Sequence, residues 1–218
     1  GVLYIVENGE TIQSAADLKG KTIYASGKGA TPEYALNYIL SSNGINPETD
    51  VTIEWKSEHS ECVAALASQE NAVAMLPQPF VTTAQTKNPE IRTALDLTKE
   101  WDALQEGEEK KSSMITGVVV ARKEFAEENQ EEIQEFLKEY HTSVDCVNEN
   151  ITDAAQLIEK YDIVPAAVAE KALPACNIVC IDGEEMEEKL SGYLEVLKAQ
   201  NPQAVGGEVP NHDFYYIQ

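Results

Sequence analysis

Arginine is nearly missing from this chain: Arg92 and Arg122 are the only two in 218 residues. A clamp of several guanidinium groups around a polyanion is therefore excluded, and a neutral, zwitterionic or singly charged ligand fits better. Cations of any kind are scarce, sixteen Lys and Arg against thirty-eight Asp and Glu, for a formal charge of −22. Such a chain repels phosphate backbones and anionic headgroups, so nucleic acid and membrane surfaces are poor partners. The plain consequence of the acidity is solubility.

Other absences narrow the chemistry. No run approaches the roughly 18 apolar residues of a spanning helix, and no leader pattern of charged, apolar and cleavage regions opens the chain. Only three histidines occur, His59, His141 and His212, and none has metal-ligand spacing to another. No G-x-S-x-G elbow, H-E-x-x-H pair or Cys-His signature is present. No catalytic set, metal site or cofactor is therefore predicted. The acidic runs Glu108-Glu109 and Glu184-Glu185 read as solvated helix ends instead of paired acid–base carboxylates. The cysteines are Cys62, Cys146, Cys176 and Cys180. The last two sit in a β-rich run, where four extended residues span about 13 Å, well beyond the roughly 7 Å that a disulfide bridges. Free buried thiols are expected.

What remains is a regular alternation. Thr22–Ala25 reads as a strand, 26–30 as a loop, and Thr31-Pro32-Glu33 as an N-cap with proline at the first helical position. That helix ends at Asn43-Gly44. Val51–Trp55 alternates as a strand, Ser60 and Glu61 open a helix, and Ala72–Leu76 is the continuous apolar run of a strand buried on both faces. A helix follows Pro77-Gln78-Pro79 to about Thr86. Ile91–Leu97 reads as a strand, Thr98–Leu104 as a short helix, Gln105–Ser113 as a mobile surface loop, and Ile115–Ala121 as a last strong strand. This is the pattern of a parallel or mixed sheet with helices on both faces. From Glu124 onward the pattern is helical, with segments around 133–147, 152–161, 164–173 and 184–200. That last third has too few strands to build its own sheet. Because the chain opens directly in a strand, Val2–Val6, native residues are expected to precede it.

In open α/β sheets, ligands sit at the carboxyl ends of the strands, which singles out three segments. In Gly27, Lys28, Gly29, Ala30 and Thr31, glycines let the backbone approach a guest, and the first amides of a helix lack internal partners. An anionic or carbonyl group could rest there; the segment is neither a P-loop nor G-x-G-x-x-G, and an ordinary strand–helix turn explains it equally well. In Leu76–Phe80, two prolines flank Gln78 and would fix an amide that both donates and accepts. In Ser57–Glu61, His59 could be a polar contact or simply a surface histidine at a helix start.

The run Ala16-Asp17-Leu18-Lys19-Gly20-Lys21-Thr22-Ile23 resembles the D-L-K-G-K entry of type II periplasmic-type binding proteins, in the nitrate/sulfonate/taurine branch that also holds thiamine-pyrimidine-precursor binders. Pro77-Gln78-Pro79-Phe80 is similar to that family's P-x-P-F/Y segment, and Ile115–Lys123 to its strand returning between lobes. Phe125–Glu131 resembles the following F-x-x-x-N-P-E segment, with Gln130 in place of proline. The resemblance implies an α/β, two-lobed Venus-flytrap fold with one lobe complete (8–114) and the other partial. On that map 1–7 and 115–121 cross between lobes, and 122–218 form the C-terminal helical part of the second lobe. It implies the solute-binding component of an ABC importer, extracytoplasmic or lipid-anchored, with a small-molecule solute and membrane permease subunits as partners, and no cofactor. Ligand contacts would be Gly27 to Thr31, His59, Gln78 and Thr116. A pyrimidine-precursor synthase on the same fold is the alternative, weakened by the lack of that group's cysteine-rich motif. A sensory ligand-binding domain is a third.

Overall fold

The computed structural model describes residues 1–107 and 111–217, and the chain divides into two compact units. Gly1–Ile115 with Asp182–Gln218 form the first, and Thr116–Ile181 the second.

The first unit is built on five strands, β1 (Leu3–Glu7), β2 (Thr22–Ser26), β3 (Thr52–Lys56), β4 (Val73–Pro77) and β5 (Arg92–Asp96), in the order β3-β2-β4-β1-β5. β2 runs parallel to β3 and β4, whereas β1 is antiparallel to β4 and β5, with Leu3 opposite Pro77 and Tyr4 opposite Asp96. The sheet is thus mixed, as the alternation implies. Its helices are α1 (Thr31–Ser42), α2 (His59–Ser68), α3 (Phe80–Lys87) and α4 (Leu97–Leu104). Successive strand residues face opposite ways. Ile5, Ile23, Ala25, Val73 and Met75 pack with Leu36, Ile39 and Leu40 of α1 and with Leu97 and Trp101 of α4. Tyr4, Val6, Tyr24, Ala74 and Leu76 face the other way, where Cys62, Val63 and Leu66 of α2 and Val81 and Ala84 of α3 are buried. Each fully buried Leu or Ile contributes about 1.5–3 kcal/mol, so this two-sided burial is what fixes the strand register.

Of the stretch Gln105–Ser113, expected as a surface loop, Glu106, Gly107 and Lys111 are exposed, but two residues are interior. Gln105 and Ser112 are buried. The Trp101 indole Nε1 donates to Ser112 Oγ at 2.9 Å, and Ser112 donates to Gln105 Oε1 through both its amide (3.0 Å) and its hydroxyl (2.8 Å). Gln105 Nε2 in turn donates to the Tyr38 hydroxyl at 2.8 Å. A buried indole N–H needs an acceptor, and this segment supplies it. Glu108 and Glu109 lie outside the described residues.

The second unit holds α5 (Lys123–Glu128), α6 (Gln130–Glu149), α7 (Ile151–Lys160) and α8 (Ala166–Ala172). Its core is small, Ala154, Ala155, Ala169 and Leu173. The strand expected over 115–121 is absent: the segment carries no strand pairing, and Val118, Val119 and Val120 are exposed. β-Branched residues favour a pleated, half-buried surface, and among the described residues no strand pairs with this one. The run 177–181 is likewise irregular instead of extended sheet. Of the cysteines only Cys62 is buried, with burial pushing its thiol up to about 11; Cys146 is exposed, contrary to the expectation of buried thiols throughout.

The last helix, α9 (Gly183–Gln200), belongs to the first unit, although the sequence map grouped 122–218 together. Tyr193 lies 5.5 Å from Trp101, ring to ring, and Gln200 and Asn201 hydrogen-bond to the backbone and hydroxyl of Tyr34. A side chain at Gly192 would strike the Lys111 carbonyl, so glycine is what lets α9 lie against this segment. Glu184 and Glu185 occupy its first turn, exposed as expected.

Candidate functional site

Because β2, β3, β4 and β5 run the same way, Ser26, Lys56, Pro77 and Asp96 end along one edge of the sheet, and α1 to α4 all start there. This brings residues 26–31, 57–61 and 77–82 to a common edge.

After β2 the chain turns through Gly27 (φ +87°) and Gly29 (φ +78°), both in the left-handed region. At Gly27 an added Cβ would also lie 2.8 Å from Pro32, so no other residue fits without displacing the start of α1. Two of the expected free amides are occupied: Gly29 N donates to Glu33 Oε2 at 2.5 Å, and Ala30 N to the Gly27 carbonyl at 3.2 Å. Ala30, not Thr31, is the N-cap, and Thr31 is the first helical residue. Lys28 sits exposed at the tip of the turn.

His59 opens α2 and is half-buried. Its Nδ1 lies 2.5 Å from Oγ of the buried Ser26, and its ring is 4.9 Å from that of Phe80 at the start of α3. Burial pushes the imidazole below its ordinary 6.5, against a smaller upward pull from Glu58, so the ring is neutral at pH 7. Glu61 closes the α2 entrance by accepting from the amides of Ser57 and Glu58 at 2.9 and 3.0 Å.

Gln78 bridges β4 and α3. Its backbone amide donates to the Val2 carbonyl at 3.0 Å, which ties the entry of β1 to this edge, and the peptide to Pro79 is cis. Its side-chain Oε1 accepts from the amide (3.3 Å) and the hydroxyl (2.9 Å) of Thr82.

Of the predicted contacts, His59 and the start of the Gly27–Thr31 segment meet through Ser26, and Gln78 lies two residues from the Phe80 ring that His59 packs on. Thr116 is an exposed residue of the second unit. Ser26, Phe80 and Thr82 are not among the predicted contacts. Phe80 belongs to the P-x-P-F segment, and the spacing of Gln78 and Thr82, four residues across a helix start, is a detectable pattern; the pairing of Ser26 with His59, 33 positions on, is not. Two open, largely apolar hollows lie in the second unit, one along Val119–Arg122 and one beside Leu157, and neither includes a predicted contact. Among the described residues no group of three or more His, Cys, Asp or Glu is placed to hold a metal ion, and no helix is long and apolar enough to cross a membrane.

Comparison with known proteins falls on this same frame. Residues 1–172 match the family model described as ABC transporter, phosphonate, periplasmic substrate-binding protein. No curated protein matches the chain by sequence. Among solved structures, an ABC transporter protein from Parabacteroides distasonis superposes with a TM-score of 0.77 at 22% identity, covering 100% of this chain and 71% of that one. The periplasmic aliphatic sulphonate-binding protein SsuA from Escherichia coli gives 0.73 at 19% identity, covering 99% and 65%. The alkanesulfonate-binding protein SsuA from Xanthomonas axonopodis pv. citri, bound to MOPS, gives 0.62 at 16%, covering 98% and 68%. The chain thus spans about two-thirds of the length of these structures and has the periplasmic binding protein fold.

Proposed function

Since the chain belongs to the family of ABC-transporter phosphonate periplasmic substrate-binding proteins, we propose that it is the extracytoplasmic solute-binding component of an importer, a clamp for a small organic or anionic ligand. One observation carries the assignment to a site: three loops that leave neighbouring parallel strands converge on one sheet edge, where Ser26, His59 and Phe80 are in contact. Loops at such an edge are positioned by a rigid sheet yet free to reach a guest. The neutral imidazole of His59 and the amide of Gln78 offer polar contacts without fixed charge, which suits a ligand taken up by a chain of charge −22. Gly27 to Thr31 complete the proposed contacts on this edge.

Capture operates by closure of two lobes, with ligand shifting the population toward the closed state through its greater affinity for that state. The closed, loaded protein then docks on the permease subunits in the membrane, held near them in the periplasm or by a lipid anchor. Nothing in this role requires the protein to transform its ligand, and the proteins it resembles are named for binding and transport.

A thermal-shift panel of sulfonates, phosphonates, nitrate, pyrimidines and amino acids tests the assignment. A ligand at a hundred times its Kd stabilises the folded state by about 2.7 kcal/mol, a rise of several degrees in Tm. Absence of any shift across the panel, with calorimetry in agreement, sinks it.

A further inference from the structure

Gln78 is a residue whose side chain could either donate or accept, and the structure settles which. The Thr82 backbone N–H can only donate, so the Gln78 atom facing it at 3.3 Å is the carbonyl oxygen Oε1. The Thr82 hydroxyl donates to the same oxygen at 2.9 Å, which uses both of its lone pairs. Thr82 is itself held in place. It is buried, and its carbonyl accepts from the Thr86 hydroxyl one turn on at 2.8 Å. The Gln78 backbone is held as well, by its amide bond to Val2. The acceptor end of the amide is consumed, while among the described residues the Nε2 group meets no acceptor.

We propose that Thr82 is a positioning residue that locks the Gln78 amide with its Nε2 donors toward the ligand, so that the site selects a guest presenting a bare acceptor oxygen. This rests on the solute-binding assignment and sharpens it. A guest that turned a donor toward Nε2 would leave two donors facing each other, and an unsatisfied buried donor costs about 1–3 kcal/mol. Flipping the amide to relieve that would set Nε2 against the Thr82 N–H instead. Selection therefore comes from Thr82, a residue that does not touch the ligand, and it operates without charge.

A double-mutant cycle on the chain, read as Kd for methanesulfonate by calorimetry, tests this. Thr82→Val keeps the shape and removes the hydroxyl, Thr82→Ser restores it, and Gln78→Ala removes the amide. Thr82→Val is expected to weaken binding about five- to tenfold, Thr82→Ser to stay within about twofold of the parent, and Thr82→Val in the Gln78→Ala background to cost less than about twofold further. The same loss in both backgrounds means that Thr82 serves only packing, and overturns the proposal, as does an unchanged Kd in Thr82→Val. A parent chain that binds amines lacking an acceptor oxygen but not methanesulfonate overturns it while leaving solute binding intact. A parent that binds nothing in the panel removes solute binding and this selection together.

Discussion

The two ends of the sheet in the first unit handle polar groups in opposite ways. At the end where β1 stops, Glu7 is fully buried, yet every capacity of its carboxylate is met: Thr11 donates through its amide (2.8 Å) and hydroxyl (2.5 Å), Ile12 through its amide (3.1 Å), and Arg92 through Nη2 (2.8 Å). Arg92 goes on to the carbonyls of Gly9 and Ile12. One of only two arginines is thus spent closing a loop. At the end where β2, β3 and β4 stop, the buried Ser26 pairs with a half-buried His59, and the half-buried Gln78 makes no hydrogen bond through Nε2 among the described residues. A fully satisfied buried network rigidifies; a partly satisfied, half-exposed one can bind. The difference separates the scaffold from the site within one sheet.

Breaking the first end should have the largest effect. Arg92→Ala leaves a buried carboxylate without its counter-charge, and about 3 kcal/mol of stability should be lost, read from the urea midpoint. Ligand affinity should hold, because Arg92 lies at the far edge; a parallel loss of both would show that the two ends are not separable. Ser26→Ala at the other end should reverse the balance. It removes one hydrogen bond to a half-exposed ring, about 1 kcal/mol or less, and should weaken ligand binding proportionately more because His59 loses its orientation. An Ser26→Ala chain that loses stability but binds as the parent does would remove His59 from the proposed contacts.

The smallest effect is in pH, and the two ends fall in different windows. Burial alone would push the Glu7 carboxyl up, but the bonds from Thr11, Ile12 and Arg92 outweigh it and hold it below its ordinary 4.5. The unfolded chain therefore takes that proton first, and stability falls as the pH drops below about 4.5. His59 also sits below its unfolded value, 6.5, so its contribution is full above that pH and declines as the pH falls through it. His212 runs the other way, since Glu187 holds it above 6.5. The His59→Gln variant should thus show a flatter stability slope than the parent between pH 7 and 5.5, and an unaltered slope would contradict the burial of His59.

Much of this architecture can be read from the chain alone. Ala72–Leu76 identifies a strand buried on both faces because nothing polar interrupts it, and glycine and proline mark each strand-to-helix turn. The errors share one cause. Val118–Val120 carries strong strand propensity, but a strand exists only through a partner, and propensity does not supply one. Gln105 and Ser112 belong to a charged stretch, and only the position of the Trp101 indole shows that they are interior. Gly183–Gln200 is plainly a helix, yet its amphipathic pattern does not say which unit it covers.

The sequence by itself determined the strand–helix alternation, the loops that would end up at the carboxyl edge, and the acidic character that excludes polyanionic partners. Those follow from local propensity, periodicity and charge, which each residue carries regardless of its neighbours in space. Only the tertiary structure decided that Ser26 meets His59, that Arg92 serves the scaffold, and that α9 returns to the first unit. Each of these is a contact or an orientation between residues fixed by packing, and no single stretch of chain contains the information that makes it.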